Sequence, residues 1–289
     1  MTEIREKAYA KLNISLDVTG RRPDGYHDMV MVMQTVSLCD ELTITKDGSG
    51  RVRAGSNLRF IPSDERNLAV RAALQYLEAI GEEGQGLYIS IQKTIPVGAG
   101  MAGGSSDAAA VLRGLNALYE KKLSTRELIQ LAGGVGSDVA FCVSGGTALA
   151  KGRGELLSPL PAFPDCFFVI CKPEFSISTP ELFKKLDAVP LRRHPDTAGI
   201  LRALEENNLR EICHRLYNVF EDVDDRRFRT VSEIKNRLLD YGALGSLMTG
   251  TGSAVFGIFP DETAANAACQ GLQKEYGFCR VAVPVRAAC

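Results

Sequence analysis

The alternation of apolar and polar positions divides the chain into elements before any single residue is weighed. Residues 8–18 place Ala10, Leu12, Ile14 and Leu16 on one face and Lys11, Asn13, Ser15 and Asp17 on the other, which predicts a strand with one apolar and one polar side. Residues 30–44 have mixed strand character, and Leu87, Ile89 and Ile91 alternate as a further strand. Helical spacing runs over 67–80 (Leu68, Ala72, Leu74, Leu77) and over 105–118 (Ala109, Leu112, Leu115), with a polar helix following across 116–130. After Gly152 the composition shifts, and Pro159, Pro161 and Pro164 punctuate a linker. Beyond it the pattern predicts strands at 166–171, 246–259 (interrupted by glycines) and 279–285. Helices are predicted at 180–187, 197–206, 209–216, 226–240 and 261–276. Two α+β domains meeting near residues 155–160 are the simplest parse.

Composition narrows the class. The 289 residues are 45% hydrophobic and 24% charged, with a net charge of −1. These are globular values without the basic field that nucleic acid or an anionic membrane surface would need. Residues 1–7 are polar, with no apolar signal core, and no apolar run approaches the roughly 20 residues that span a bilayer. A soluble, cytoplasmic protein is expected, with no membrane and no nucleic-acid partner.

The eight cysteines, Cys39, Cys142, Cys166, Cys171, Cys213, Cys269, Cys279 and Cys289, form no C-x-x-C pair and several sit in apolar runs, so they read as reduced core thiols. His27, His194 and His214 are far apart, which argues against a zinc site. No metal-ligating residues are assigned.

Candidate chemistry centres on residues 96–107, where Gly98, Gly100, Gly103 and Gly104 precede Ser105, Ser106 and Asp107 between a strand and a helix. Glycines bring backbone N–H groups close to an anion, and the following helix start adds unpaired donors and a positive dipole end. An unliganded connection is the bland alternative. Gly98-x-Gly100-x-x-Gly103 also matches the dinucleotide fingerprint literally, but no second strand ends in an acid about 20 residues on. The Lys-Ser/Thr of a Walker A loop is absent, as are the H-R-D and D-F-G strings of protein kinases.

Phosphoryl transfer to a hydroxyl needs positioning, charge neutralisation and commonly a carboxylate to take the proton. Asp138, between glycines and an apolar run, is the candidate base; a helix N-cap or turn is its ordinary alternative. Lys11 and Asn13 share a strand face and could hold a hydroxyl, unless that face is simply solvated. Thr249-Gly250-Thr251-Gly252-Ser253 forms either a turn or bulge or a second lip on the same phosphate site.

Taken together, these segments resemble the GHMP kinases. The family's middle motif, a proline four residues before Gly-Leu and then small residues and Ser-Ser, is matched by Pro96, Gly100-Met101 and Ser105-Ser106; its third motif is matched by Gly250-Thr251-Gly252-Ser253. Ala10-Lys11-Leu12-Asn13-Ile14 and Arg22-Pro23-Asp24-Gly25-Tyr26-His27 resemble a branch that acts on a cytidine-diphosphate-linked polyol in non-mevalonate isoprenoid biosynthesis. Asn67-Leu68, Lys93, Gly136-Ser137-Asp138-Val139 and Gly152-Arg153-Gly154-Glu155 support it.

The resemblance implies a two-domain α+β fold, with a ribosomal-protein-S5-like ATP domain over 1–157 and a ferredoxin-like α/β sandwich over 158–289. It implies ATP as donor with Mg2+, held by Asn67, Leu68, Lys93 and the loop Pro96, Val97, Gly98, Ala99, Gly100, Met101, Ala102, Gly103, Gly104, Ser105 and Ser106. It makes Asp138 the base and Lys11 its partner. The acceptor falls to Asn13, Tyr26, His27, Thr179, Phe183, Gly250, Thr251 and Gly252, with Tyr26 and His27 on the cytosine and Phe183 as the opposing aromatic wall. A family member acting on another small alcohol, such as homoserine or mevalonate, is the alternative. Two positions depart from the pattern. Met101 stands for the usual Leu, and Ala102 stands where many members have Gly, so Ala102 must tolerate that backbone geometry.

Overall fold

The structure, a computed structural model, describes residues 2–120 and 122–287. The alternating N-terminal pattern forms β1 (Glu3–Arg21), and the mixed segment forms β2 (His27–Lys46), followed by β3 (Val52–Ser56). Helix α1 (Leu68–Ala79) precedes β4 (Leu87–Gln92), and α2 (Gly103–Leu118) follows the glycine loop. The polar stretch after it is α3 (Thr125–Val135), entered through a capping box of Ser124 and Glu127, and then comes the short α4 (Val139–Ser144). Strands β5 (Thr147–Gly152) and β6 (Leu156–Pro159) lead to β7 (Phe167–Lys172). Helices α5 (Thr179–Leu186), α6 (Thr197–Glu205) and α7 (Leu209–His214) precede β8 (Tyr217–Asn218) and α8 (Phe228–Asp240). The chain closes with β9 (Gly245–Met248), β10 (Val255–Phe259), α9 (Glu262–Tyr276) and β11 (Phe278–Ala282).

These elements form two compact units, neither continuous in sequence. One comprises Met1–Ala10, Cys39–Ile95 and Ala102–Gly145; the other comprises Lys11–Leu38, Pro96–Met101 and Gly146–Cys289. The compact units therefore do not follow a single cut after residue 157. The reason lies in β1 and β2, which at 19 and 20 residues are long enough to serve both units.

In the first unit, β4 pairs in parallel with β3 (Ala54 opposite Ile89) and antiparallel with the far end of β2 (Leu42 opposite Ile91). Ile44, Ile89, Val70, Leu112 and Leu115 are buried in its core. Gly114 lets α2 approach the sheet, since a Cβ there would lie 2.7 Å from Ile44 Cδ1.

In the second unit, β11, β7, β10 and β9 form an antiparallel sheet in that order. With α5 to α8 between β7 and β9, and α9 between β10 and β11, this is the β-α-β-β-α-β arrangement of a ferredoxin-like sandwich. Residues 246–259, expected as one interrupted strand, are two. Thr249 N–H donates to Ala254 O at 3.0 Å and Gly252 N–H to Thr249 O at 2.9 Å, closing a turn between β9 and β10. Gly250 (φ 58°) and Gly252 (φ 81°) adopt the left-handed backbone that this turn requires.

The seven cysteines among the described residues form no disulfide with one another, and Cys166, Cys171, Cys213 and Cys279 are buried; Cys289 lies outside the described residues. Among those residues no helix is long and apolar enough to cross a membrane.

Candidate active site

The polar face of β1 is not solvated. Lys11 is 4% exposed and Asn13 fully buried, and the Lys11 ammonium donates to Asn13 Oδ1 at 2.6 Å. The backbone beside them is fixed to both glycine segments of the second unit. Lys11 N–H donates to Met101 O at 3.2 Å and Asn13 N–H to Thr249 Oγ1 at 3.0 Å, while that hydroxyl donates to Gly100 O at 3.3 Å. The turn 249–252 lies directly on the glycine loop: a Cβ on Gly100 (φ 75°) would meet Thr249 O at 2.1 Å, and one on Gly250 would meet Gly100 O at 2.8 Å. Ala254 N–H donates to Ala99 O at 3.2 Å, and the buried Asn218 amide donates to Met248 O and Gly250 O, both at 2.8 Å. Met101 and Ala99 are buried, whereas Val97 and Gly98 are exposed. The two glycine segments are thus one assembly.

The same unit carries the predicted acceptor residues. Thr179, the first residue of α5, hydrogen-bonds Thr251 hydroxyl to hydroxyl at 2.9 Å. His27 stacks on Phe183 with ring centroids 4.5 Å apart, and its Nε2 lies 2.7 Å from Asp187 Oδ1. Phe183 meets Phe220 edge-on at 4.9 Å. One face of the half-buried Phe183 ring is therefore occupied by His27. Tyr26 is exposed, with the Arg153 guanidinium 4.8 Å from its ring centroid.

In the first unit, α2 starts without a side-chain cap, because its N-cap residue is Ala102. Ala102 has φ 57° and ψ 31°, the left-handed geometry expected of a position that suits glycine. Ser106 N–H makes the first intrahelical bond, to Ala102 O at 2.8 Å, so the N–H groups of Gly103, Gly104 and Ser105 belong to the open helix start. Ser106 is buried and its hydroxyl donates to Tyr9 O at 2.6 Å, whereas Ser105 is half-buried. Ser105 is thus the more accessible hydroxyl.

Three further predicted ATP residues have defined structural partners. Asn67 caps α1, accepting from Ala69 N–H at 3.0 Å and donating to Pro62 O at 2.9 Å. Leu68, the first residue of α1, is half-buried, and its Cδ1 would be 3.7 Å from a Cβ on Gly104. The Lys93 ammonium donates to Asp40 at 2.5 Å and Asp107 at 2.7 Å, and its backbone N–H and C=O both pair with the Asn57 side chain. Burial drives the Asp107 carboxyl up to about 7, against the pull of Lys93 and with the repulsion of Asp40.

Asp138 occupies the N-cap position of α4 but does not cap it; its backbone is right-handed helical and its side chain makes no cap hydrogen bond. The capping alternative therefore does not describe this residue, which lies in the turn at 137–138 and is half-buried. Its loop is held by Arg71, which donates to Val135 O at 3.2 Å, and α4 by Arg113, which donates to Cys142 O at 2.8 Å.

Sequence reasoning missed Asp40, Asp107 and Asp187 as members of these clusters. Asp107 carried a signal, standing directly after Ser105-Ser106, whereas Asp40 and Asp187 carried none. Among the described residues, no group of three His, Cys, Asp or Glu side chains is arranged to hold a metal ion.

Comparison with known proteins adds a family to this geometry. The description "GHMP kinases N terminal domain" matches residues 67–146, and "GHMP kinases C terminal" matches residues 200–277. The 4-diphosphocytidyl-2-C-methyl-D-erythritol kinase of Bacillus licheniformis is 46% identical over 98% of this chain and 96% of its own length. The protein of that name from Bacillus subtilis is 45% identical over the same shares. A crystal structure of 4-(cytidine 5'-diphospho)-2C-methyl-D-erythritol kinase aligns with a TM-score of 0.80 at 33% identity, covering 97% of this chain and 99% of that one. A homoserine kinase from Cytophaga hutchinsonii aligns with a TM-score of 0.77 at 21% identity, over 99% and 96% of the two chains, and shares the fold.

Proposed function

The chain belongs to the GHMP kinases, and from that premise we propose that it transfers the γ-phosphoryl group of ATP to the 2-hydroxyl of 4-diphosphocytidyl-2-C-methyl-D-erythritol, an alcohol phosphotransfer in non-mevalonate isoprenoid biosynthesis. The observation that carries the acceptor is the 46% identity to a kinase named for that compound, extending over 98% of this chain. Homoserine and mevalonate are the competing acceptors, but the homoserine kinase and mevalonate kinase neighbours are 21% and 17% identical and speak for the fold alone.

In this reading Asp138 takes the proton of the attacking hydroxyl as its oxygen bonds to the γ-phosphorus. The bond from that phosphorus to the β,γ-bridging oxygen breaks, and ADP leaves. Lys11, oriented by Asn13, supplies positive charge at the hydroxyl. The N–H groups of Gly103, Gly104 and Ser105 receive phosphate oxygens. Asn67, Leu68, Lys93 and the remaining loop residues, 96–102 and Ser106, shape the nucleotide site. Tyr26, His27 and Phe183 bind the cytosine, with Thr179 and residues 250–252 on the acceptor side. In the family sense residues 1–157 form the ATP-binding domain and 158–289 the C-terminal domain. The two matched descriptions fall on either side of that cut.

Magnesium fits as an ion carried by the nucleotide phosphates, since Mg2+ keeps several waters and needs only one or two protein oxygens, and Ser105 offers a hydroxyl at the helix start. When bound it neutralises phosphate charge. We place the protein in the cytoplasm, with ATP and the small-molecule acceptor as its partners.

The test is ADP release with the cytidylyl polyol, homoserine and mevalonate offered separately. Turnover with the first alone is expected, and turnover with homoserine or mevalonate alone would replace the assigned acceptor.

A further inference from the structure

Helix α2 presents an open, uncapped first turn, and such a turn is loose unless something holds it from below. Beneath it lies a buried cluster. Asp40, on β2, is fully buried; its Oδ1 accepts from the N–H groups of Thr94 (2.5 Å) and Ile95 (2.8 Å) and its Oδ2 from the Lys93 ammonium. The same ammonium donates to Asp107 Oδ2 on the second turn of α2, and Asp107 Oδ1 is buried with no hydrogen-bond partner among the described residues. Gly103, the first residue of the helix, sits on this cluster: a Cβ there would lie 3.1 Å from Ile95 Cγ2 and 3.3 Å from Lys93 Nζ.

We propose that Asp40, Lys93 and Asp107 are positioning residues that fix the open turn of α2, residues 103–105, in register for the nucleotide's phosphates, with Lys93 acting through the helix and not by direct contact of its ammonium with the nucleotide. The inference rests on the kinase reading in needing a phosphate-bearing nucleotide at that turn. The cluster does two things there. It ties α2 to the 93–95 backbone that leads into the glycine loop, and it neutralises carboxylate charge that would otherwise oppose an incoming triphosphate. Asp40 has no exposed surface, so any effect of changing it on a ligand must be transmitted.

The experiment is calorimetric binding of adenosine, ADP and a non-hydrolysable ATP analogue to the wild type, Asp40→Asn, Asp107→Ala and Asp107→Asn, with a thermal melt of each. Asp107→Asn retains an oxygen for Lys93 and is expected to bind within about threefold of the wild type. Asp40→Asn and Asp107→Ala are expected to lose about tenfold or more in affinity for ADP and the analogue, with adenosine affinity unchanged, because only phosphates meet the turn. A wild type that binds no nucleotide defeats the kinase reading itself. A wild type that binds, beside folded variants that bind all three ligands equally well or lose adenosine in the same proportion, overturns the positioning role. Should Asp107→Ala fail to fold, Asp40→Asn decides alone; should both fail, Asp107→Ser takes their place, a tenfold loss for ADP and the analogue with adenosine unchanged upholding the proposal and unchanged binding of all three overturning it.

Discussion

The ammonium of Lys11 donates to the side-chain oxygen of Asn13 at 2.6 Å, and both residues are buried although they lie on the polar face of β1. Burying a lysine is costly unless it is paired, and two positions apart on a strand the two side chains project from the same face. The pair is also fastened, through Asn13 N–H and Thr249, to the glycine turn at 249–252. A polar strand face thereby becomes a rigid platform beside a glycine-rich assembly, the kind of preorganised donor that phosphoryl transfer uses.

If Asp138 is the base, Asp138→Asn lowers kcat by about 10²–10⁴-fold while leaving the KM values for ATP and acceptor within about threefold. Steady-state kinetics with both substrates varied checks it. Wild-type turnover in the variant removes Asp138 from the chemistry.

Ala102 holds a left-handed backbone at φ 57°. An L-residue there costs about 1–2 kcal/mol, part of which a glycine gives back through its larger unfolded-state entropy. Ala102→Gly is therefore expected to stabilise the chain by about 0.5–1 kcal/mol, read as a higher urea midpoint at unchanged slope.

Gly100→Ala points the other way. Its φ is 75° and the added methyl would sit 2.1 Å from Thr249 O, a backbone atom. The two glycine segments must separate, so the variant is expected to lose about 2 kcal/mol or more of stability, together with most activity. A variant with wild-type melting and turnover would show that the segments are not held together in solution.

Asp107 sets a pH dependence. Its folded value, about 7, is above the ordinary 3.8, so between those values the folded chain keeps a proton that the unfolded chain has released. Stability from this group is therefore present below the lower value and is lost as pH rises through the upper one. Melting temperatures from pH 5 to pH 8 are expected to fall less in Asp107→Asn than in the wild type.

The glycine loop between a strand and a helix, the shared face of Lys11 and Asn13 and the αL demand at Ala102 were legible in the sequence because each depends on local backbone geometry or on strand and helix period. Most helices were legible for the same reason, including 226–240, observed as Phe228–Asp240. What was not legible depends on partners distant in sequence. Asp40 reads as an ordinary polar strand position until Lys93 and the 94–95 backbone are seen around it. Nor does the sequence show that the Ser106 hydroxyl donates to Tyr9 O, or that the segment at 249–253, open to reading as a turn, a bulge or a second lip, lies against Gly100. The discontinuous units could not be read either, because strand length alone does not say how many cores a strand serves.

The most direct test of the central claim is to incubate the protein with ATP and 4-diphosphocytidyl-2-C-methyl-D-erythritol and follow the phosphorus spectrum. The kinase reading predicts ADP and, in equal amount, a new phosphomonoester on the 2-oxygen, neither forming without the acceptor. ATP that binds but yields no phosphorylated acceptor, or a phosphate that appears only on another alcohol, would contradict it.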